Sequence, residues 1–369
     1  MKPNFYSAVV ALGLIIGTSG QTFAAGAPLP PPIPLLDIDL SKVIDRVALG
    51  SCFAPQLDGK IWQSVQATKP DLFLFLGDNV YSSDEQPDAD LPFLKEAYQL
   101  LGEVPSFSAL RAQVPMMVTW DDHDYGMNDA GASWMARAEA EALHEHVWAQ
   151  SESDPRRTRD GVYYSNIVGP KHQQVQVIML DTRFFRSDLK PASDRDRYGK
   201  FEPSNDPEKT MLGKDQWDWL ADQLEKEADL RLIVSSVAVV ADQHNMEGWR
   251  TLPLERTKLF NLIASTGANG VVFLSGDRHF SGFYSQNDDV PYPLLEFMSS
   301  SMNLPITGKT ADRYRDEDEP RKITPSVMEA NFGTLDIDWQ QRSVVFSIRG
   351  SSGKVVVSHQ IKLDELRPK

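Results

Sequence analysis

The feature that most constrains the fold is a series of short apolar runs, each of which ends at a small polar cluster. One such run, at residues 71–76, leads into Gly77 and Asp78, and another, at residues 175–180, leads into Asp181. Apolar runs of about four to eight residues that end at turn residues are typical of buried strands. The predicted strands lie at residues 43–49, 71–76, 114–119, 175–180, 232–237 and 270–274.

Helical periodicity separates several of these strands. Apolar side chains recur at helical spacing over residues 216–228 and 254–264, and residues 132–149 are a third predicted helix. His144 and His146 lie two positions apart on that third helix, so they point to different faces and are expected at the surface. Strands that alternate with helices predict α/β units.

The C-terminal part of the chain has a different pattern. Apolar and polar residues alternate over residues 333–339, 343–348 and 354–361, with short turn clusters between them, which predicts an antiparallel β-meander. Two polar stretches, at 187–208 and 306–323, are predicted to be long surface loops. We therefore expect one domain of the α/β sandwich type.

Charge and cysteine content exclude several classes of protein. The formal net charge is −15, and an acidic surface repels phosphate backbones, so we expect no stable nucleic-acid binding. Because Cys52 is the single cysteine, the chain has no internal disulfide and no thiolate-only zinc site. The sequence contains no P-loop, no dinucleotide glycine fingerprint and no Gly-x-Ser-x-Gly elbow.

The N-terminus predicts export. Lys2 precedes an apolar run at residues 8–16, and small residues follow, so residues 1–24 are predicted to be a secretory signal peptide. The run is shorter than the ~20 residues that a membrane span needs. Residues 25–42 are predicted to be a Pro-rich linker, and 43–369 the folded domain. We expect a periplasmic or extracellular protein without a transmembrane anchor in the mature chain.

Chemically active side chains follow the predicted strands. In open α/β sheets, ligands bind at the carboxyl ends of the strands. Carboxylates brought together there repel one another unless a cation lies among them, so the pattern predicts a metal site. The residues at these ends are Cys52, Asp78, the cluster from Asp121 to Asp124, Asp181 with Arg183, and Asp277 with His279.

Ligand chemistry indicates which metals to expect. The thiolate of Cys52 and the phenolate of Tyr81 are strongly donating ligands that suit ferric iron, and His279 is compatible with it. Carboxylates suit Ca²⁺, with Mn²⁺ or Mg²⁺ as alternatives. The carboxylates concerned are Asp78, which could bridge two ions, Asp122 and Asp277.

Such a site predicts chemistry at phosphorus. Two cations ~3.5–4 Å apart suit an in-line displacement on a phosphoryl group. His123 is the natural donor of a proton to the leaving alkoxide, because an imidazole titrates near pH 7. Arg183 would hold phosphate oxygens through two parallel N–H contacts. The expected substrate is a small-molecule phosphoester.

The order of these motifs resembles the metallophosphoesterase superfamily, and most closely its alkaline phosphatase D (PhoD-like) family. The resemblance implies a four-layer α/β/β/α sandwich with a C-terminal antiparallel β-meander. It also implies an exported, metal-dependent phosphoesterase. The motifs that carry it are Gly50-Ser51-Cys52, Gly77-Asp78-Asn79-x-Tyr81, Trp120-Asp121-Asp122-His123-Asp124, Leu180-Asp181-Thr182-Arg183, Gly248-Trp249 and Leu274-Ser275-Gly276-Asp277-Arg278-His279.

The resemblance further implies roles for individual residues. His123 matches the histidine that protonates the leaving group, Asp124 would orient His123, and Asn79 would contact phosphate. The implied metals are ferric iron and one or two calcium ions. Their ligands would be Cys52, Tyr81 and His279 for iron, Asp78 as the bridge, and Asp122 and Asp277 for the second metal position.

The substrate and one alternative function stay open at this point. The enzyme could hydrolyse phosphomonoesters, phosphodiesters or both, including a phospholipase-like phosphodiesterase activity. The alternative is a non-catalytic calcium-binding envelope protein on the same fold. His123 and Arg183 favour the enzyme, because calcium binding alone needs neither. The sequence predicts no oligomeric state.

Overall fold

Two six-stranded sheets form the centre of the protein in a computed structural model that describes residues 27–82, 89–193, 201–243, 246–315 and 318–368. The predicted signal peptide lies outside these residues. The strands are β1 Arg46–Gly50, β2 Leu72–Phe75, β3 Met116–Val118, β4 Tyr164–Val168, β5 Val175–Met179, β6 Lys190–Pro191, β7 Phe201–Glu202, β8 Leu230–Val234, β9 Val271–Ser275, β10 Gly282–Gln286, β11 Leu294–Met298, β12 Asn331–Asp338, β13 Ser343–Gly350 and β14 Val355–Lys362. The helices are α1 Ile61–Ala67, α2 Pro92–Glu103, α3 Pro105–Arg111, α4 Asp122–Tyr125, α5 Arg137–Val147, α6 Gly213–Leu224, α7 Pro253–Thr266 and α8 Gly308–Arg315. Short 3₁₀ turns lie at Pro155–Thr158, Trp249–Thr251 and Leu363–Leu366.

Each sheet has a parallel centre. The first has the order β14-β13-β12-β1-β2-β3, in which β1, β2 and β3 are parallel and β12 to β14 form the predicted antiparallel meander. The second has the order β10-β11-β9-β8-β5-β4, with β11, β9, β8 and β5 parallel. Parallel strands end at one edge of their sheet, which collects the polar residues that follow them.

Helices cover the outer face of each sheet, which gives the predicted four layers. Val47 and Leu49 of β1 belong to the core between the sheets, whereas Ala48 between them belongs to the core beneath the helices, as the two-residue period of a strand requires. On that outer face, Trp62 of α1 packs edge-on against Phe73 at 5.2 Å between ring centroids. Residues of α6 and α7 pack in the same core as the second sheet.

The predicted linker lies against the domain where it is described. Ile33 is buried, and its backbone N–H donates to the carbonyl of Val147 at 2.6 Å. Arg111 donates to the carbonyl of Pro34 at 2.9 Å. A Pro-rich composition predicts extended backbone, but it does not reveal whether the extended backbone has a surface to pack on. Residues 27–42 are therefore an ordered strap rather than a free linker.

Two other expectations need correction. The polar stretch at 306–323 contains α8, whose Tyr314 is buried and stacks on Phe280 at 5.6 Å between ring centroids. His144 is buried rather than exposed, 5.3 Å from the ring of Trp120, and burial lowers its pKa to about 3. Position 144 shares the buried face of α5 with Ala140 and Val147, which lie one turn away on either side.

Among the described residues, none of the helices has both the length and the apolar content needed to span a membrane.

Gly77, which follows β2, lies where the two sheets pack closely together. A substitution there tests how tight this packing is. Its φ is +111°, and a Cβ added there would lie 2.7 Å from the Cβ of Asp121. We expect Gly77→Ala to lower the free energy of unfolding by about 2–5 kcal/mol, from left-handed strain plus overpacking. Gly267→Ala is the control, because φ there is +66° with no atom within 4 Å. It should cost only the strain, about 1–2 kcal/mol. Equal losses in urea denaturation would contradict the predicted clash.

Candidate active site

The carboxyl ends of strands from both sheets meet at one place. Ser51, after β1, donates to the carbonyl of Ser299, after β11, at 3.0 Å. Ser236, after β8, donates to Asp121, after β3, at 2.7 Å. The backbone carbonyl of Ser236 accepts the N–H of Gly276, after β9, at 2.8 Å. The first two bonds connect the two sheets and the third connects strands of the second sheet, so the polar residues predicted at strand ends converge as expected.

Four of the predicted metal ligands have an unusual backbone. Cys52, Asp78, Asp277 and His279 have φ values of 56°, 49°, 65° and 57°. Residues other than glycine rarely adopt this left-handed region, and each costs roughly 1–3 kcal/mol. Such strain concentrates at functional sites, where surrounding contacts maintain it.

The first cluster contains the predicted iron ligands. Single ligand atoms of Cys52, Asp78 and His279 all lie within 4.8 Å of one another. The hydroxyl of Tyr81 donates to Asp78 Oδ2 at 2.7 Å and lies 3.2 Å from His279 Nε2. His279 Nδ1 lies 2.5 Å from the carbonyl of Leu304. A proton on Nδ1 would be shared with that carbonyl, which leaves Nε2 as the ligand atom facing the cluster.

The second cluster shares Asp78 with the first. Ligand atoms of Asp78, Asp122 and His123 also lie within 4.8 Å of one another. Asp78 Oδ1 accepts the backbone N–H of His123 at 3.2 Å, while its Oδ2 faces Tyr81. The ring of His123 lies 4.3 Å from that of Tyr81, between centroids. Asp78 therefore has the position of a bridging ligand.

The electrostatics of these residues fit bound cations. Burial and the charge of Asp122 raise the pKa of Asp78 to about 7. Burial and the charge of Asp78 raise the pKa of Cys52 well above its usual range. Asp277 Oδ2 is buried without a hydrogen-bond partner among the described residues, which is costly for a carboxylate oxygen. Thiolate, phenolate, imidazole and carboxylate together fit a transition metal beside a harder cation.

Asp277 lies near the second cluster without joining it. Among the described residues, it is absent from the groups whose ligand atoms lie within 4.8 Å of one another. Burial raises its pKa well above the usual range, and the charges of Glu247, Asp121 and Asp122 add to the effect. Its assignment to the second metal stays a prediction.

Arg183 does not have the position expected of a phosphate-binding residue. It is fully buried, and its two terminal nitrogens donate to Glu247 at 2.8 and 2.6 Å. Its Nε donates to Asp121 at 2.6 Å. The guanidinium is thus occupied by two carboxylates of the protein. The predicted substrate contact of Arg183 is not supported by this arrangement.

Asp124 and Asn79 also differ from expectation. Asp124 accepts the backbone N–H groups of Asp78, Asn79 and Asp121 at 3.2, 3.1 and 2.5 Å, and the side-chain amide of Asn79 as well. As the third residue of α4, it reaches back to the preceding loop in a capping box. Asp124 therefore fixes the Asp78 turn, and its hydrogen bonds go there rather than to the ring of His123. The side-chain N–H₂ of Asn79 is engaged by Asp124 and the carbonyl of Thr119.

Two residues of the site were not found from the sequence. Asp129 and Glu247 form a third group with Asp122, again with ligand atoms within 4.8 Å. Glu247 directly precedes the Gly248-Trp249 motif, which offered a weak signal, whereas Asp129 lies in an irregular loop with none. Arg183 already brings a positive charge to this group, because its Nη2 contacts Glu247 and lies 4.0 Å from Asp122.

The role of Arg183 can be tested by stability. Arg183→Gln leaves Asp121 and Glu247 buried without their cation, so we expect the free energy of unfolding to fall by about 3–5 kcal/mol. Arg157→Gln is the matched control. Arg157 makes a partly exposed ion pair with Glu145 at 3.3 Å, which is worth about 0–1 kcal/mol. An Arg183→Gln protein of normal stability but reduced substrate affinity would restore the phosphate-binding role.

Comparison with known proteins identifies relatives of the chain. Alkaline phosphatase D of Bacillus subtilis (strain 168) is 28% identical over 261 residues, which is 61% of this chain and 42% of the relative. The matched region therefore spans less than half of the relative's length. The solved structure of PhoD superposes with a TM-score of 0.67 at 19% identity, over 89% of this chain and 70% of the other.

A second solved structure shares the fold. GAP50, described as the anchor in the inner membrane complex of Plasmodium, has a TM-score of 0.54 at 15% identity, over 89% of this chain and 90% of the other. The model of the PhoD-like phosphatase family matches residues 47–347, which include the whole second sheet, the strands of the first sheet from β1 into β13, and every residue of the two clusters. The chain therefore belongs to the PhoD-like phosphatase family.

Proposed function

We propose that the protein is an exported, metal-dependent phosphoesterase that hydrolyses phosphomonoesters, phosphodiesters or both. The observation that carries this proposal is that Asp78 is shared by two ligand clusters, with His123 beside it. Family membership supports a phosphatase, whereas the metal identity and the substrate go beyond it.

The residues of the two clusters would hold different cations. Cys52, Tyr81 and His279 offer the donors for ferric iron, and Asp122 offers a carboxylate for calcium, with Mn²⁺ or Mg²⁺ as alternatives. Asp277 would assist at the second position. When bound, the metals would neutralise phosphoryl charge and activate the attacking water.

His123 would supply the proton for the leaving group. It lies at the start of α4, with its backbone N–H bonded to Asp78 and its ring against Tyr81. These contacts restrict the imidazole, and a positioned acid contributes about 10²–10⁴-fold to such reactions. Asp124 would act one step further away, because it holds the backbone of Asp78 and Asn79 in place.

Export belongs to the proposal as well. The signal-like pattern of residues 1–24 supports a periplasmic or extracellular location. Cys52 is buried and would be protected there as a metal ligand rather than left as a free thiol.

A non-catalytic role is the second candidate, since the fold also occurs in GAP50, which is described as an anchor. A shared fold does not decide between the two, because function depends on the site. Here the site combines the ligand clusters with a positioned histidine, which binding of a metal alone does not need.

Turnover tests the proposal directly. We expect the purified exported protein to hydrolyse p-nitrophenyl phosphate, bis-p-nitrophenyl phosphate or both, and to lose that activity on chelation, because the carboxylates of the site then repel one another and nothing activates water. Re-addition of Ca²⁺ to iron-containing protein should restore it. The ratio of the two rates gives the preference for monoester or diester. Absence of turnover in protein with confirmed iron and calcium would favour the binding role.

The role of His123 predicts a dependence on the leaving group. His123→Ala should slow hydrolysis of an alkyl phosphate by about 10²–10⁴-fold. It should slow p-nitrophenyl phosphate much less, because p-nitrophenolate leaves without a proton. His172→Asn, a change at an exposed histidine, is the control and should leave both rates unchanged. Equal losses on the two substrates would show that His123 does not act as the acid.

A further inference from the structure

A cavity lies on the loop region next to the candidate site. Its volume is about 290 Å³, and it is lined by Pro203, Asp242, Gln243, Arg250, Pro253 and Arg256. Three of these six residues belong to the connection between β8 and α7, which also carries Glu247 of the site, and two belong to the first turn of α7. The cavity therefore lies along the same edge of the second sheet as the ligand clusters.

Arg250 brings a largely buried positive charge to the cavity, and among the described residues the nearest negative charge acting on it is that of Asp242. The residue is 8% exposed, and its guanidinium makes one long hydrogen bond, at 3.4 Å, to the carbonyl of Phe201. Among the described residues, no carboxylate lies within ion-pair distance of it. Burying an unpaired guanidinium is costly, and an anionic ligand would remove that cost.

The nearby carboxylate is already neutralised. Asp242 forms ion pairs with Arg256 at 2.7 Å and with Arg321 at 2.9 Å, one to each oxygen. The carboxylates of Asp242 and Glu319 together balance these two arginines, so the surplus positive charge at this wall is that of Arg250. The wall of the cavity therefore attracts anions even though it contains Asp242.

Backbone contacts hold this wall in shape. Glu296 accepts the N–H groups of residues 239–241 at 2.7–2.9 Å. Glu319 accepts those of Asp242 and Gln243, both at 2.6 Å. The first turn of α7 supplies Pro253 and Arg256, and the N-terminus of a helix favours negative charge. The backbone of the cavity wall is thus held by contacts within the protein.

The cavity is close to the residues that hold the metals. Arg250 lies three positions after Glu247, and the N–H of Trp249 between them is anchored to the carbonyl of Ala238 at 2.9 Å. Arg278, which lies between Asp277 and His279 in the sequence, is close enough for its charge to oppose that of Arg250. The cavity and the candidate site therefore share the connection that carries Glu247 and Arg250.

We propose that this cavity is an anion-binding subsite in which Arg250 binds a second phosphoryl or carboxylate group of the substrate. The inference rests on the proposed function, because it assigns the substrate class of the same site: phosphoesters that carry a second anionic group. Arg250 would act in binding and not in the bond-breaking step.

The test compares three substrates that differ in one group. These are 3-hydroxypropyl phosphate, propane-1,3-diyl bisphosphate and 3-carboxypropyl phosphate, with phosphate release as the measurement. In the wild-type protein we expect kcat/KM for the bisphosphate, the carboxylate compound or both to exceed kcat/KM for the hydroxyl compound. In Arg250→Gln, the ratio of kcat/KM for the compound with a second anionic group to kcat/KM for the hydroxyl compound should fall about tenfold, mainly through KM. That is the size expected for one charge-assisted hydrogen bond. The bisphosphate and carboxylate arms distinguish the two kinds of group.

The control is Arg157→Gln, an arginine outside the cavity, which should leave the ratios unchanged; thermal unfolding checks that each variant is folded. An unchanged ratio in folded Arg250→Gln would overturn the subsite, while turnover itself would still support the proposed function. If the wild-type protein hydrolyses none of the three monoesters, bis-p-nitrophenyl phosphate decides the proposed function, which fails when that diester is not hydrolysed either. Calorimetry with propane-1,3-bisphosphonate and propylphosphonate then tests the subsite: preferential bisphosphonate binding that Arg250→Gln abolishes supports it, and equal binding overturns it.

Discussion

The rest of the site depends on one electrostatic constraint, the burial of several carboxylates where two sheets meet. Asp78, Asp121 and Asp122 follow neighbouring parallel strands, so the topology brings their charges together whatever the side chains prefer. Repulsion between them must be balanced by cations. Two features of the structure address this repulsion. Arg183 forms an ion pair with Asp121, and the donor set around Asp78 fits metals.

This division explains why the two halves of the site differ. On one side, Arg183, which follows β5, is held by Asp121 and Glu247, so this protein-supplied cation joins the ends of β3 and β5 to the loop carrying Glu247. On the other side, Cys52, Tyr81 and His279 surround Asp78. Among these four described residues, Asp78 contributes a negative charge and none contributes a cation. The first half is therefore balanced by a cation of the protein, whereas the second half offers a donor set that fits metals. Left-handed backbone at Cys52, Asp78 and His279 of this half is consistent with a functional site there.

Sequence reasoning succeeded where the signal is local. A run such as residues 71–76 predicts a buried strand because its apolar content has no helical period, and the alternation after residue 333 predicts the meander in the same way. Ligand type and strand-end position were enough to bring Cys52, Asp78, Tyr81 and His279 together. It failed where a residue's partner lies far along the chain. The sequence predicts that Arg183 binds phosphate, but in the structure its guanidinium donates to Glu247, 64 positions away. The buried state of His144 and the packing of the strap at residues 27–42 depend on distant surfaces in the same way.

Arginine occupancy offers a general criterion for assigning such residues. Arg183 and Arg250 both lie on the loops that surround the clusters, and sequence alone favoured only the first. In the part of the chain that the structure describes, two carboxylates occupy Arg183, while Arg250 has one long contact to a carbonyl and borders a cavity. Because a guanidinium already paired inside the protein would have to lose those bonds before it could bind a phosphoryl group, the unpaired one is the better candidate. The metals would then set the reaction, and the arginine beside them would set which phosphoesters are held long enough to react.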